Sequence, residues 1–147
     1  MENKNSGQQL QSMLEEWFKK LPSLPASAVD GLYSIAPWIA LVFGVIGVLG
    51  ALSGFGALTF LAPFAVMGGA SSYYGLGIIS TVGWLVASVL MLLAFGGLKA
   101  GKISGWNMLF WSEVVSVVSS LVAFSLGTVV GAAIGFYLLF QIKSKYK

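Results

Sequence analysis

Cysteine, histidine and arginine are all missing from this chain of 147 residues, so every one of its eight basic side chains is a lysine. Without thiols or imidazoles there is no disulfide framework, no thiolate nucleophile and no imidazole metal site. Four of the five carboxylates lie within the first 30 residues and only Glu113 lies beyond, and no glycine-rich phosphate loop sits between a strand and a helix. Acid–base and nucleophilic catalysis therefore have almost nothing to work with. The expectation is a protein that is not an enzyme and carries no cofactor or metal. Charge is scarce as well. Charged residues make up 9% of the chain, against roughly 25% in an ordinary soluble domain. Such a surface would not stay dissolved.

What is present instead is apolar sequence in long tracts. No charged side chain occurs from Gly31 to Leu98, and from Ile103 to Ile142 the single one is Glu113. Both tracts far exceed the roughly 20 apolar residues that cross a bilayer core. The lysines (Lys4, Lys19, Lys20, Lys99, Lys102, Lys143, Lys145 and Lys147) flank them. The net charge of +3 therefore points to membrane phosphates as partner, not to nucleic acid. The first apolar run starts only after Asp30, too late and too long for a cleavable signal peptide.

The chain divides near residue 30. In the first part, Leu10, Met13, Leu14, Trp17, Phe18 and Leu21 recur at steps of three and four. Gln9, Gln11, Ser12, Glu15, Glu16, Lys19 and Lys20 take the other face. This spacing predicts an amphipathic helix, ended by Pro22 and Pro25, which cannot continue the ladder. With Trp17 and Phe18 on one side and Lys19 and Lys20 on the other, it is expected to lie in the headgroup plane. The alternative is a helix packed on the cytoplasmic ends of a bundle.

Residues 31–147 read as an all-α transmembrane bundle. Spans are expected at about 34–52, 74–98, 104–124 and 127–142. Pro37 would sit in the first turn of the first span, and Ser53-Gly-Phe-Gly56 is expected to break the helix. Residues 57–69, with Pro63, reach only about 20 Å as a helix against some 30 Å of hydrocarbon. They are expected to form a re-entrant or interfacial segment on the outer face. Four spans put all eight lysines on one side, whereas five would move Lys99 and Lys102 across. The positive-inside bias therefore favours four spans in an inner cell membrane with both termini cytoplasmic.

Glu113 is the first candidate for chemistry. An ionised carboxylate inside a span is costly and must be paired, protonated or next to water. Ser116 and Ser120 follow it at three and seven residues, and Ser112, Ser116 and Ser119 form a second line. Together they predict a hydroxyl-bearing face that lines a wet cleft. The structural alternative is a carboxyl bonded to serines, Asn107 or Gln141, fixing helix packing. Glycines supply the second feature: Gly127, Gly131 and Gly135 repeat every fourth residue, and Gly44 and Gly47 do much the same in the first span. Such stripes let another backbone approach closely, mostly within one molecule.

The second half opens with Lys102-Ile-Ser-Gly-Trp-Asn-Met-Leu-Phe110-Trp-Ser-Glu113 and closes with Ile134-Gly-Phe-Tyr137-Leu-Leu-Phe140-Gln-Ile-Lys-Ser-Lys-Tyr-Lys147. The Gly-Trp-x-x-Leu-Phe entry and the aromatic-basic tail resemble a group of small, uncharacterised four-helix bacterial membrane proteins. The likeness covers the last third and implies no activity and no site residue. Small multidrug exporters share the outline of four spans and one glutamate, but theirs lies in the first span and Glu113 in the third. Two functions follow as expectations. The first is a non-enzymatic helper or scaffold that binds lipid or another membrane protein. The second is a minimal proton-coupled transporter or channel, a homo-oligomer using Glu113 and its serines.

Overall fold

The computed structural model describes residues 5–122 and 126–147, and these are all-α. Five helices follow in order: α1 Ser6–Phe18, α2 Ala26–Met67, α3 Ser71–Lys99, α4 Ile103–Val122 and α5 Leu126–Ile142, with a short 3₁₀ turn at Lys143–Lys145. Three helical stretches are long and apolar enough to cross a membrane: Ala26–Met67, Ser71–Lys99 and Leu126–Lys145. α4 has the length, at 20 residues, but Asn107, Glu113 and its serines lower its hydropathy. It is also the helix from which the core draws its largest side chains, Trp106 and Phe110.

The expected break at Ser53–Gly56 is not there. α2 runs unbroken for 42 residues, about 63 Å by helical rise. The segment 57–69, expected as a separate re-entrant or interfacial piece, is largely its last three turns. The start also differs, because the helix begins at Ala26 and leaves Pro37 in mid-helix instead of in a first turn. Each glycine or proline weakens a helix, but a break in an apolar setting leaves peptide groups without partners, which costs more. Both ends of the α2–α3 pair close by the same device. Gly69 and Gly101 take φ of +72° and +67°, so that Ala70 N–H donates to the Ala65 carbonyl and Lys102 N–H to that of Gly97. Only glycine enters that left-handed region cheaply.

α3 packs between α2 and α4, and α5 closes on α4. Small residues set the spacing. A Cβ on Gly44 would meet the Leu92 side chain at 2.7 Å, and one on Gly50 would meet the Trp84 ring at 2.6 Å. Gly47 faces Ser88. At the α3–α4 crossing the two backbones touch, since a Cβ on Gly97 would lie 2.7 Å from Gly105 Cα.

The register divides the molecule into two parts. Gly54 meets Thr81 and Gly83 meets Ser119. Continued upward, this alignment puts the described end of α4, at Val122, level with about Ser80 and Phe55. Below that level α2, α3, α4 and α5 stand side by side for about 20 residues, or 30 Å. Among the described residues only α2 and α3 continue above it, as a helical hairpin that overhangs by about 18 Å. No residue between Leu52 and Val86 is buried.

The other end is closed tightly. Trp106, Phe110, Phe136, Leu139 and Ile142 form the core there, with Leu10, Leu14 and Phe18 of α1 packed on it. The tail then ties four elements together. Lys147 N–H donates to the Gly101 carbonyl at 3.0 Å, and Ile103 N–H to that of Lys147 at 2.9 Å. Lys145 pairs with Asp30 at 2.6 Å, and Lys143 with Glu15 at 2.5 Å. Tyr146 stacks obliquely on Tyr33, with ring centres 4.9 Å apart. Its buried hydroxyl, pushed up to about 12 by burial and by the Tyr33 hydroxyl, stays neutral. The seven described lysines all gather at this end. Lys4 lies outside the described residues.

Candidate functional site

Adjacent residues on a helix point about 100° apart, and α4 uses that angle to separate the candidate residues. Glu113 turns toward α5 and borders an apolar cleft of about 130 Å³ with Leu32, Met91, Leu139 and Gly135. Gly135 makes the room, since a Cβ there would come within 2.9 Å of the carboxylate Oε1. Among the described residues no hydrogen bond or ion pair reaches that carboxylate. Asn107 instead accepts from the Gln11 side chain at 3.3 Å, and Gln141 accepts from Leu24 N–H at 3.2 Å. Both polar side chains hold the N-terminal segment, not the acid.

Ser112 turns the other way. It is 1% exposed, and its hydroxyl donates to the Ala87 carbonyl of α3 at 2.8 Å. Ser116, Ser119 and Ser120 line a different cavity, of about 330 Å³, with Ser80, Thr81 and Trp84 from α3 and Thr128 from α5. The four serines and Glu113 therefore do not form one face. They serve an interhelical bond, a hydroxyl-lined cavity and an apolar cleft.

The glycine stripe of α5 divides in the same manner. Gly135 is packed, by the Glu113 carboxylate, while a Cβ on Gly127 or Gly131 would meet nothing within 4 Å. Gly44 and Gly47, by contrast, face α3 at close range.

α1 presents three sides. Leu10, Leu14 and Phe18 face the core, where Phe18 stacks on Phe140 at 5.5 Å between ring centres and also neighbours Phe136. Gln11 and Glu15 face α4 and the tail. Met13 and Trp17 turn outward, Trp17 being 70% exposed with Lys20 Nζ 5.6 Å from its ring centre. Trp17 and Phe18, expected on one surface, thus serve opposite ones. Lys19 folds back on Glu15 at 3.0 Å. Partial burial by itself raises the Glu15 carboxyl, but hydrogen bonds and charge from Lys143 and Lys19 outweigh it and hold the group below its ordinary value.

Several residues of these sites escaped the sequence reading. Gly97, Gly101 and Gly105 repeat every fourth residue but straddle the α3–α4 turn, so the role of Gly97 and Gly105 appears only once those helices are paired. Ser80, Thr81 and Trp84 did carry a signal. They are a polar patch in an apolar helix, and Trp84 lies too deep for an interfacial belt. Its ring packs on Gly50. Comparison with family models, curated proteins and solved structures returned no match for the chain.

Proposed function

We propose that this is a multi-pass membrane protein that acts without catalysis, as a helper or scaffold binding lipid or another membrane protein through its overhanging hairpin. One observation carries the reading. Phe60, Phe64, Val66, Met67 and Tyr73 are 64–87% exposed on a hairpin without a charged side chain, beyond the reach of α4 and α5. A contiguous apolar surface of that kind marks a membrane or protein contact.

The packing supports a reading with four membrane-crossing helices. α4 is flanked by α3 and α5 over its length, so if they cross, it crosses with them. The 30 Å body then matches the hydrocarbon thickness, which leaves lipid headgroups around the base of the hairpin and a partner protein to cover its tip. The lysine-rich end faces the cytosol by the positive-inside bias, and α1 sits at that surface with Met13 and Trp17 toward the headgroups. The transporter reading has less support, because Glu113 and the serines border separate cavities.

The absence of native cysteine makes the test direct. Phe60→Cys and Phe64→Cys, in native membranes, should resist a membrane-impermeant maleimide. A photo-crosslinker at position 64 should yield a lipid or protein adduct, which says which of the two covers the hairpin. Rapid labelling at both cysteines, with no adduct, would put the hairpin in water and defeat the proposal.

A further inference from the structure

The cavity between α3, α4 and α5 has a pattern of hydrogen-bonding groups that selects its occupant. Three of its hydroxyls are already used as donors to their own helices. Ser80 and Thr81 donate to the Gly77 carbonyl at 3.0 and 2.8 Å, and Ser120 donates to that of Ser116 at 2.6 Å. What these three still offer the cavity is oxygen lone pairs. Ser116 Oγ, Ser119 Oγ and the Trp84 indole N–H have no hydrogen-bond partner among the described residues. They add two hydroxyls that both give and accept, and one donor. Among the described residues no carboxylate, ammonium or other charged group lines the space.

That chemistry excludes more than it admits. An inorganic ion would find no opposite charge there, and moving it from water would be costly. An acyl chain would leave Ser116, Ser119 and the Trp84 N–H without partners, at a cost for each that is not hydrated. A neutral group that both donates and accepts at several points satisfies the lining, and the ring of Trp84 adds a flat apolar wall of the sort on which a sugar face stacks. The volume of about 330 Å³ is within the range of small-ligand pockets, roughly 300–1,000 Å³.

Location narrows the source. Ser119, Ser120 and Thr128 lie within about two turns of the end of the four-helix body, opposite the lysines. With that body across the bilayer, as proposed above, this is headgroup depth in the far leaflet. From this geometry we infer that the cavity is a binding site for an uncharged polyol, a glycerol or hexose unit, presented as a lipid headgroup. The inference rests on the membrane reading for the source of the polyol, not for the chemistry of the lining.

Native mass spectrometry of the full chain tests it, with monohexosyl diacylglycerol, phosphatidylcholine of the same acyl chains, and free glucose as probes. The hexosyl lipid should be retained about tenfold better than phosphatidylcholine, the scale of one or two net hydrogen bonds. The double variant S116A/S119A, which removes only the two hydroxyl oxygens and leaves the Trp84 ring against Gly50, should remove most of that preference. Circular dichroism of the variant checks that it is folded. Free glucose lost in parallel with the lipid, or bound in its place, supports the same polyol chemistry with a soluble source. Equal retention of phosphatidylcholine and the hexosyl lipid, or a preference that survives in the folded variant, overturns the inference. Failure here leaves the hairpin labelling experiment untouched, because no residue is shared between them.

Discussion

The two ends of this protein are built by opposite means. At the lysine end, five separate stretches of chain converge: α1, the start of α2, the α3–α4 turn, the end of α5 and the tail. They are joined by ion pairs, backbone bonds and stacked rings. At the other end, among the described residues, two helices continue alone, with no charge and no buried residue. One end is closed by its own sequence. The other leaves its apolar surface for something outside the chain to cover. A helix pair needs only local spacing to form, whereas a closed end needs many distant residues to agree, so the two ends should respond differently to the same kind of change.

The sharpest test is a small side chain added where backbones touch. Gly105→Val puts its Cβ and methyls against Gly97 and Leu98, and should cost about 3 kcal/mol or more of stability by overpacking. Unfolding in detergent would show this as a large drop in melting temperature. A variant as stable as the parent would mean that the α3–α4 crossing is not close.

A smaller loss should follow from releasing the first helix. Lys143→Ala removes the pairing with Glu15 and the ammonium 5.0 Å from the Trp106 ring centre. Both side chains are about a quarter exposed, so the cost is about 1–2 kcal/mol. Faster hydrogen exchange over residues 6–18, with α3 and α4 unchanged, is the expected sign. Acid should have the same effect. The Glu15 pKa is depressed in the fold, so its contribution is complete above the ordinary value of 4.5 and is lost as pH falls through the lowered one. Exchange in α1 that does not change on acidification would remove the pair from the account.

The overhang should show the reverse sign, by the least amount. A Cβ on Gly56 or Gly75 meets nothing within 4 Å, so Gly56→Ala and Gly75→Ala should each stabilise the helix by about 0.5–1 kcal/mol. Thermal unfolding of the pair of variants measures it. If either destabilises as Gly105→Val does, those glycines are covered in the membrane by a close neighbour, and the contrast between the ends disappears.

How far the sequence foretold this differs by level. The all-α class and the four long helices were legible because charge-free tracts and turn glycines mark them directly. The span count was itself chosen to put the lysines on one side, and the seven described ones do gather at one end. The continuity of α2 was not legible, because a Gly-Phe-Gly run signals a break where water can satisfy the opened peptide groups. An apolar neighbourhood removes that option. The separation of Glu113 from Ser112 was hidden for a plainer reason: spacing says which residues share a helix face, but not where the neighbouring helices stand. Gly135 could be seen as a packing residue, but not that it makes room for a carboxylate. α1 was expected in the headgroup plane. Its docked face required the positions of Phe136 and Phe140, more than a hundred residues away.

The tail also sets an order of events during synthesis. Every bond that holds Glu15, Asp30 and the turn at Gly101 to residues 143–147 must wait until those residues have left the ribosome. α2 and α3, neighbours in sequence, can pair long before that. A growing chain would therefore carry its first helix undocked while α2 to α4 are made, until α5 and the stretch after it supply the closing stitch.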